Sequence, residues 1–290
     1  MANTTQEDFG GPWTQEKLLR LQKYLAAYTR IFKKNPRARF FQISYVDAFA
    51  GTGYLRAPEA PLASLFPDEL RPATEYTKGS AVRALEVDPA FDNYLFVESD
   101  EERFQELQAL KSQFPSRKIT LLRGDANEQL KNWCLTTDWS KNRAVVFLDP
   151  FGMQVEWPLI DTIAKTQAID LWLLFPLFAT IRLLVTHGKP PQNWGHRLTR
   201  TFGTAQWEHE FYRTEKSQLI EGVERTFREA DTKRIEEFFI ERLKAVFAGV
   251  AEPLVLKNTR GSPLFLLCFA AGNPKGAPTA VKIARAIIEG

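Results

Sequence analysis

Apolar positions fall into two rhythms along the chain. From Thr14 to Phe32, Leu18, Leu21, Leu25 and Tyr28 recur at helical spacing, and Asn35-Pro36 stops the pattern. Thr14 is a candidate cap, although the full capping box is missing. The rhythm then changes to short, nearly continuous apolar runs at Phe40–Val46, Tyr94–Val97, Ile119–Leu122, Arg143–Leu148 and Ile169–Phe175. Runs of that length suit strands of a parallel sheet covered on both faces. Helices are predicted between them at Ser80–Leu85, with Ser80 as its N-cap, at Glu101–Gln113 and at Pro158–Ala164. Tyr54 to Thr77 holds four prolines and reads as an irregular excursion above the sheet.

Beyond Pro176 the regularity weakens. Leu177–Val185 reads as a short helix, and the stretch from His187 to Leu198 as a loop rich in Pro, Gly and Asn. Gln206–Asp231 is charged with scattered aromatic residues and suggests one or two helices of an inserted cap. An amphipathic helix over Arg234–Val250 follows. Two strands, Pro253–Lys257 and Leu264–Ala270, then form an antiparallel pair at one edge of the sheet, before a terminal helix at Pro278–Glu289.

The strand ends carry the chemistry. The first runs into Asp47-Ala48-Phe49-Ala50-Gly51-Thr52-Gly53, a turn whose glycines let backbone come close to a ligand. The next three end in Glu98-Ser99-Asp100, in Gly124-Asp125-Ala126 and in Asp149-Pro150-Phe151-Gly152. Parallel strands place all these ends on one edge, where open α/β folds bind ligands. One acid at a strand end is usually a helix cap; four in order are poorly explained that way. The glycine spacing is shorter than the dinucleotide fingerprint, and no Gly-Lys-Ser/Thr phosphate loop is present, so an NAD-dependent enzyme is the weaker reading.

Composition narrows this only a little. With 290 residues, 44% hydrophobic and 25% charged, the chain can bury a sizeable core. Cys134 and Cys268 fit no metal or disulfide spacing, and the three histidines are too scattered for a zinc site. No signal-peptide pattern opens the chain and no apolar run reaches membrane-spanning length, so a cytoplasmic protein with no membrane partner is expected. The net charge of +3 is uneven: eight basic residues against Glu16 between Thr14 and Arg39 put +7 there and leave −4 elsewhere. That patch suggests nucleic acid, with a solvated helix face as the alternative.

The order of strand–AFAGTG, strand–ESD, strand–GDA and strand–DPFG with a closing antiparallel pair resembles the class I S-adenosylmethionine-dependent methyltransferases. The resemblance implies an α/β, Rossmann-like sheet, mostly parallel with one antiparallel edge strand, and a helical insertion. It implies S-adenosyl-L-methionine as cofactor, held by Asp47, Phe49, Ala50, Gly51, Thr52, Gly53, Ser80, Glu98, Ser99, Asp125 and Ala126, and no metal. Over the whole chain the sequence resembles the bacterial and phage-associated three-Cys-motif partner proteins, which implies a partner bearing a three-cysteine motif. The DPFG stretch resembles the motif of methyltransferases acting on amino groups of bases. That implies Asp149, Pro150 and Phe151 as catalytic residues and a nucleic-acid substrate, RNA ahead of DNA. Trp157 is a rival to Phe151 as stacking platform. The plain alternatives are a strand-ending turn at Asp149, a turn-forming Asp125, and core roles for Phe151 and Trp157. The expected organisation is a basic helical segment (1–39), a methyltransferase-like core (40–185), a helical insertion (186–232) and a C-terminal completion of the sheet (233–290).

Overall fold

A computed structural model describes residues 12–55, 77–216 and 224–290. The chain opens with α1 (Pro12–Lys34), followed by β1 (Gln42–Asp47), a two-stranded ribbon of β2 (Tyr54–Leu55) and β3 (Thr77–Lys78), and α2 (Ser80–Leu85). Then β4 (Asn93–Glu98), α3 (Glu101–Gln113), β5 (Ile119–Arg123), α4 (Ala126–Thr136), β6 (Asn142–Leu148), α5 (Trp157–Lys165) and β7 (Ile169–Phe175) alternate. Next come α6 (Leu177–Leu183), α7 (Gln192–Phe202), α8 (Trp207–Phe211) and the hairpin of β8 (Tyr212–Lys216) with β9 (Glu224–Arg228). The chain ends with α9 (Thr232–Lys244), β10 (Gly249–Val250), β11 (Leu254–Lys257), β12 (Pro263–Ala271) and α10 (Ala277–Glu289). The proline-rich excursion lies outside the described residues.

The main sheet has the order β10-β12-β7-β6-β1-β4-β5, with β11 also paired to β12. The five strands from β5 to β7 are parallel, and β12 runs against them. This is the Rossmann-like, mostly parallel sheet that the sequence predicts, closed by an antiparallel pair. The carboxyl ends of β1, β4, β5 and β6 therefore share one edge.

Side chains alternate across the sheet and feed two cores. Val46, Val97, Val146, Leu173 and Cys268 face one layer, where α4 to α9 supply Leu130, Trp157, Phe202, Trp207, Phe211 and Phe239. Tyr45, Phe96, Phe147, Trp172 and Phe269 face the other, covered by α1, α2, α3 and α10 through Leu21, Tyr24, Leu25, Val82, Leu107 and Ala284. The segment after β7 thus buries Phe202, Trp207, Phe211 and Phe239 in the same core as the sheet.

Three stretches differ from the sequence expectation. His187–Leu198 is not a loop throughout: from Gln192 the chain is helical, with Pro191 as N-cap and Gly203 at φ +69° as its left-handed stop. Gln206–Asp231 yields one short helix and then a hairpin, because Tyr212 to Lys216 pair in register with Arg228 to Glu224. The long helix predicted from Arg234 ends at Lys244, and Gly249–Val250 joins the sheet.

α1 runs antiparallel to β1 and spans the sheet from edge to edge. Lys17, near its start, meets Asp149 beyond the end of β6. Lys33, near its end, bonds Asp92 at 2.5 Å, and the other oxygen of Asp92 accepts the Ile43 N–H at 2.9 Å where β1 begins.

Candidate functional site: the carboxyl edge of the sheet

The glycine turn is clasped to the end of β4. Gly51 adopts φ +58° and Gly53 φ +80°, conformations that favour glycine. A Cβ at Gly53 would lie 2.5 Å from Leu110 Cδ2, whereas one at Gly51 would meet nothing within 4 Å among the described residues. The base of the turn is therefore packed, while its crown is clear of the described residues. Ala50 N–H donates to the Val97 carbonyl at 3.2 Å, and Gly51 N–H to Glu98 Oε2 at 3.0 Å. Ala50 and Thr52 are buried, and Phe49 packs against the core.

Glu98 is 7% exposed. Its Oε1 accepts the N–H groups of Ser99 and Asp100, both at 2.9 Å. A carboxylate accepts about four hydrogen bonds, so three backbone donors leave it about one position for a ligand. Asp47 is fully buried and faces inward: Ser80 Oγ donates to it at 2.5 Å, Phe49 N–H at 3.2 Å and Tyr45 OH at 3.3 Å. Burial pushes its carboxyl up to about 7; those hydrogen bonds oppose the shift and the negative charge of Asp149 adds to it. Ser80 is the first residue of α2 and the N-cap is Gly79, which corrects the expected cap. The hydroxyl instead fixes Asp47.

Asp125 caps α4. Its Oδ1 accepts Asn127 N–H at 2.9 Å and Glu128 N–H at 3.1 Å, and the residue is exposed at the same edge with Ala126 buried behind it. The helix cap that an acid at a strand end usually forms is thus realised at Asp125, with a second oxygen left over. Asn127, to which the sequence assigned nothing, ties this loop to the next. It donates to the Gln154 carbonyl at 3.0 Å and accepts Glu156 N–H at 3.0 Å.

Asp149 leaves β6 half-buried and forms an ion pair with Lys17, whose side chain is 6% exposed. Lys17 Nζ also lies 5.1 Å from the Trp13 ring centroid. Sequence reasoning counted this lysine in the basic patch, although it sits four residues before Leu21 and seven before Tyr24, on the buried stripe of α1. Pro150 is buried, Phe151 is 52% exposed, and the Phe151 N–H is held by Gln154 Oε1 at 2.8 Å. Trp157 is a core residue. It is 6% exposed, Gly203 packs directly on its ring, and the Arg242 guanidinium stands 4.5 Å over it. Of the two rival platforms, only Phe151 reaches solvent. Beside it, Pro150, Gly152, Met153, Phe175, Thr201 and Phe239 line a shallow apolar recess that is partly open to solvent.

The edge therefore brings together a glycine crown clear of the other described residues, a nearly saturated glutamate, an exposed helix-capping aspartate and an aspartate–lysine pair beside an exposed aromatic ring. Among the described residues no group of three or more His, Cys, Asp or Glu could hold a metal ion, and no helix is long and apolar enough to cross a membrane.

No protein-family profile matches the sequence, and no curated protein matches it. Solved structures resemble it in outline. Protein LPL1258 of Legionella pneumophila, from domain family DUF519, is 14% identical, with 82% of this chain and 93% of that one covered and a TM-score of 0.45. The N-terminal domain of EvdMO1 with SAH bound is 10% identical, with 85% and 80% covered and a TM-score of 0.37. At such scores these are likenesses of outline, and the chain is assigned to neither protein's family.

Proposed function

We propose that the chain is an S-adenosylmethionine-dependent methyltransferase acting on an exocyclic amine of a nucleic-acid base, RNA ahead of DNA. The observation that carries this is the clasp of Gly51 by Glu98 on the same edge as Asp149 and the exposed Phe151. In this reading the crown at Gly51 approaches the methionine part of the cofactor, the remaining lone pair of Glu98 takes a ribose hydroxyl, and the second oxygen of Asp125 faces the adenine. Ser80 and Asp47 act behind the crown by holding its shape. When bound, the cofactor supplies a methyl already activated by its sulfonium. An exocyclic amine is a weak nucleophile because its lone pair is conjugated with the base. Asp149 accepts an amine hydrogen as positive charge develops on nitrogen, and Phe151 stacks on the extruded base. With the cofactor bound, Asp149 would take the proton that the amine gives up on methylation. The cytoplasm is the compartment that goes with this reading, and the four segments 1–39, 40–185, 186–232 and 233–290 are its organisation.

A second reading is favoured by one observation: Lys17 already occupies Asp149. In that case the chain is a subunit that binds the cofactor and is completed by a partner bearing a three-cysteine motif. Tritiated-methyl transfer to bulk RNA and DNA tests the first reading, with Asp149→Asn as the control because Asn still offers Lys17 an acceptor. Transfer by the wild type and a loss of about a hundredfold or more in the variant are expected. Transfer by the variant at the wild-type rate would remove Asp149 from the mechanism. Failure of the chain to bind S-adenosylmethionine in calorimetry would sink the reading altogether.

A further inference from the structure

Between Asp170 and Glu208 the sequence contains no acidic residue, yet it holds Arg182, Lys189, Arg197 and Arg200 with His187 and His196. α7 lies within this stretch. Leu198, Thr201 and Phe202 anchor it in the core. On the flank beside Thr201 stand Trp194, Arg197 and Arg200, three residues apart, so they extend about 9 Å along the helix. Arg200 pairs with Glu156, in the loop that follows Asp149, and Thr201 lines the recess together with Pro150 and Gly152. Arg197 is exposed and makes no ion pair among the described residues, and Trp194 is 36% exposed.

We propose that this flank of α7 is the docking surface for single-stranded nucleic acid, with Arg197 on a phosphate and a base stacked on Trp194, leading the strand to the edge at Asp149. The proposal rests on the reading above for the class of substrate. Its surface is argued from placement. Arginines beside an exposed aromatic ring suit a single strand, because every base offers a face to stack and every linkage a charge to neutralise. An unpaired strand is also what an amine-directed site needs, since a paired base hides its amine.

The larger basic cluster competes on charge but not on position. Lys17 and Lys33 of α1 are engaged by Asp149 and Asp92, and Arg20 donates to the Ile287 carbonyl at 2.7 Å. The exposed Arg30, Lys34, Arg37 and Arg39 gather at the amino edge of the sheet. Along α1 that end is about 25 Å from Lys17.

Anisotropy of a fluorescein-labelled single-stranded RNA of about 20 nucleotides, without cofactor, at about 50 and about 200 mM salt tests the placement. Trp194→Ala should weaken binding about tenfold. Arg197→Ala should weaken it about fivefold and lower the salt slope by about one. The double variant Arg37→Ala/Arg39→Ala should stay within about twofold of the wild type. Three results would overturn the proposal: no binding at about 50 mM salt, a Trp194→Ala/Arg197→Ala variant that binds like the wild type, or an equal or larger loss in the α1 variant. Calorimetry with S-adenosylmethionine on the same proteins separates the two claims. A chain that binds RNA through α7 but not the cofactor fails the methyltransferase reading and keeps this surface; the reverse pattern does the opposite.

Discussion

The ammonium of Lys17 has almost no access to water, and Asp149 is the counter-ion that lets it sit there. Breaking such a pair on one side is costly because the remaining charge stays buried, typically by about 3–5 kcal/mol. Asp149→Ala should therefore lower the unfolding free energy by an amount of that order, and the urea midpoint with it, before any question of catalysis arises. Adding Lys17→Met should recover most of the loss, since its side chain fills the same groove beside Trp13 without a charge. Urea unfolding of the two proteins checks this, and a wild-type midpoint for Asp149→Ala alone would show that the pair carries no stability. The same logic explains why the lysine was hard to see in the sequence. Charge counting placed it in a basic patch, and only its register with Leu21 and Tyr24 marks it as inward-facing.

At the level of elements, legibility followed the strength of the local pattern. The five parallel strands and α1 were readable because each has one unbroken period and a clear stop. α3 was readable as well, with Asp100 capping it by accepting Arg103 N–H at 2.9 Å. The four acids at strand ends were visible, but not their directions: that Asp47 turns inward to Ser80, or that Glu98 spends three acceptor positions on backbone, depends on side-chain geometry that spacing does not carry. α7 was missed although Pro191 before it and Gly203 after it are ordinary start and stop signals, because Pro, Gly and Asn nearby suggested a loop. The β8–β9 hairpin was missed for a different reason. Its strands carry mostly polar residues, and they are anchored from outside by Tyr212 OH on the Val185 carbonyl at 2.9 Å. The glycine turn gives the sharpest test at this scale. Gly53→Ala needs room that Leu110 fills, at a positive φ, and should destabilise by about 1–3 kcal/mol. Gly51→Ala meets nothing within 4 Å among the described residues and should cost only the backbone strain, about 1 kcal/mol, while weakening S-adenosylmethionine binding. Thermal melts and calorimetry compare the two; unchanged cofactor affinity in Gly51→Ala would mean that nothing approaches the crown.

Over the whole molecule, two acids sit at opposite edges of the sheet and share one electrostatic situation. Asp47 closes β1 at the carboxyl edge, and Asp170 lies near the start of β7, where Tyr24 OH donates to it at 2.7 Å. Desolvation raises both, Asp47 to about 7 and Asp170 to about 6, against their hydrogen bonds. The unfolded chain releases these protons near pH 4, the ordinary value for an aspartate. Between that value and the folded one the native state holds more protons than the unfolded state, so stability falls as pH rises. The penalty builds from about pH 4, is complete for Asp170 slightly above pH 6, and is complete for Asp47 slightly above pH 7. The melting temperature should therefore decline from pH 5 to pH 8. Asp47→Asn keeps an acceptor for Phe49 and a partner for Ser80 but has no proton to lose, so its profile should be flatter, with its advantage largest at pH 8. A wild-type melting temperature that rises over this interval, or an Asp47→Asn profile parallel to it, would show that Asp47 is ionised in the folded protein at no cost. The shape of the glycine turn would then depend on a charged aspartate behind it rather than a neutral one.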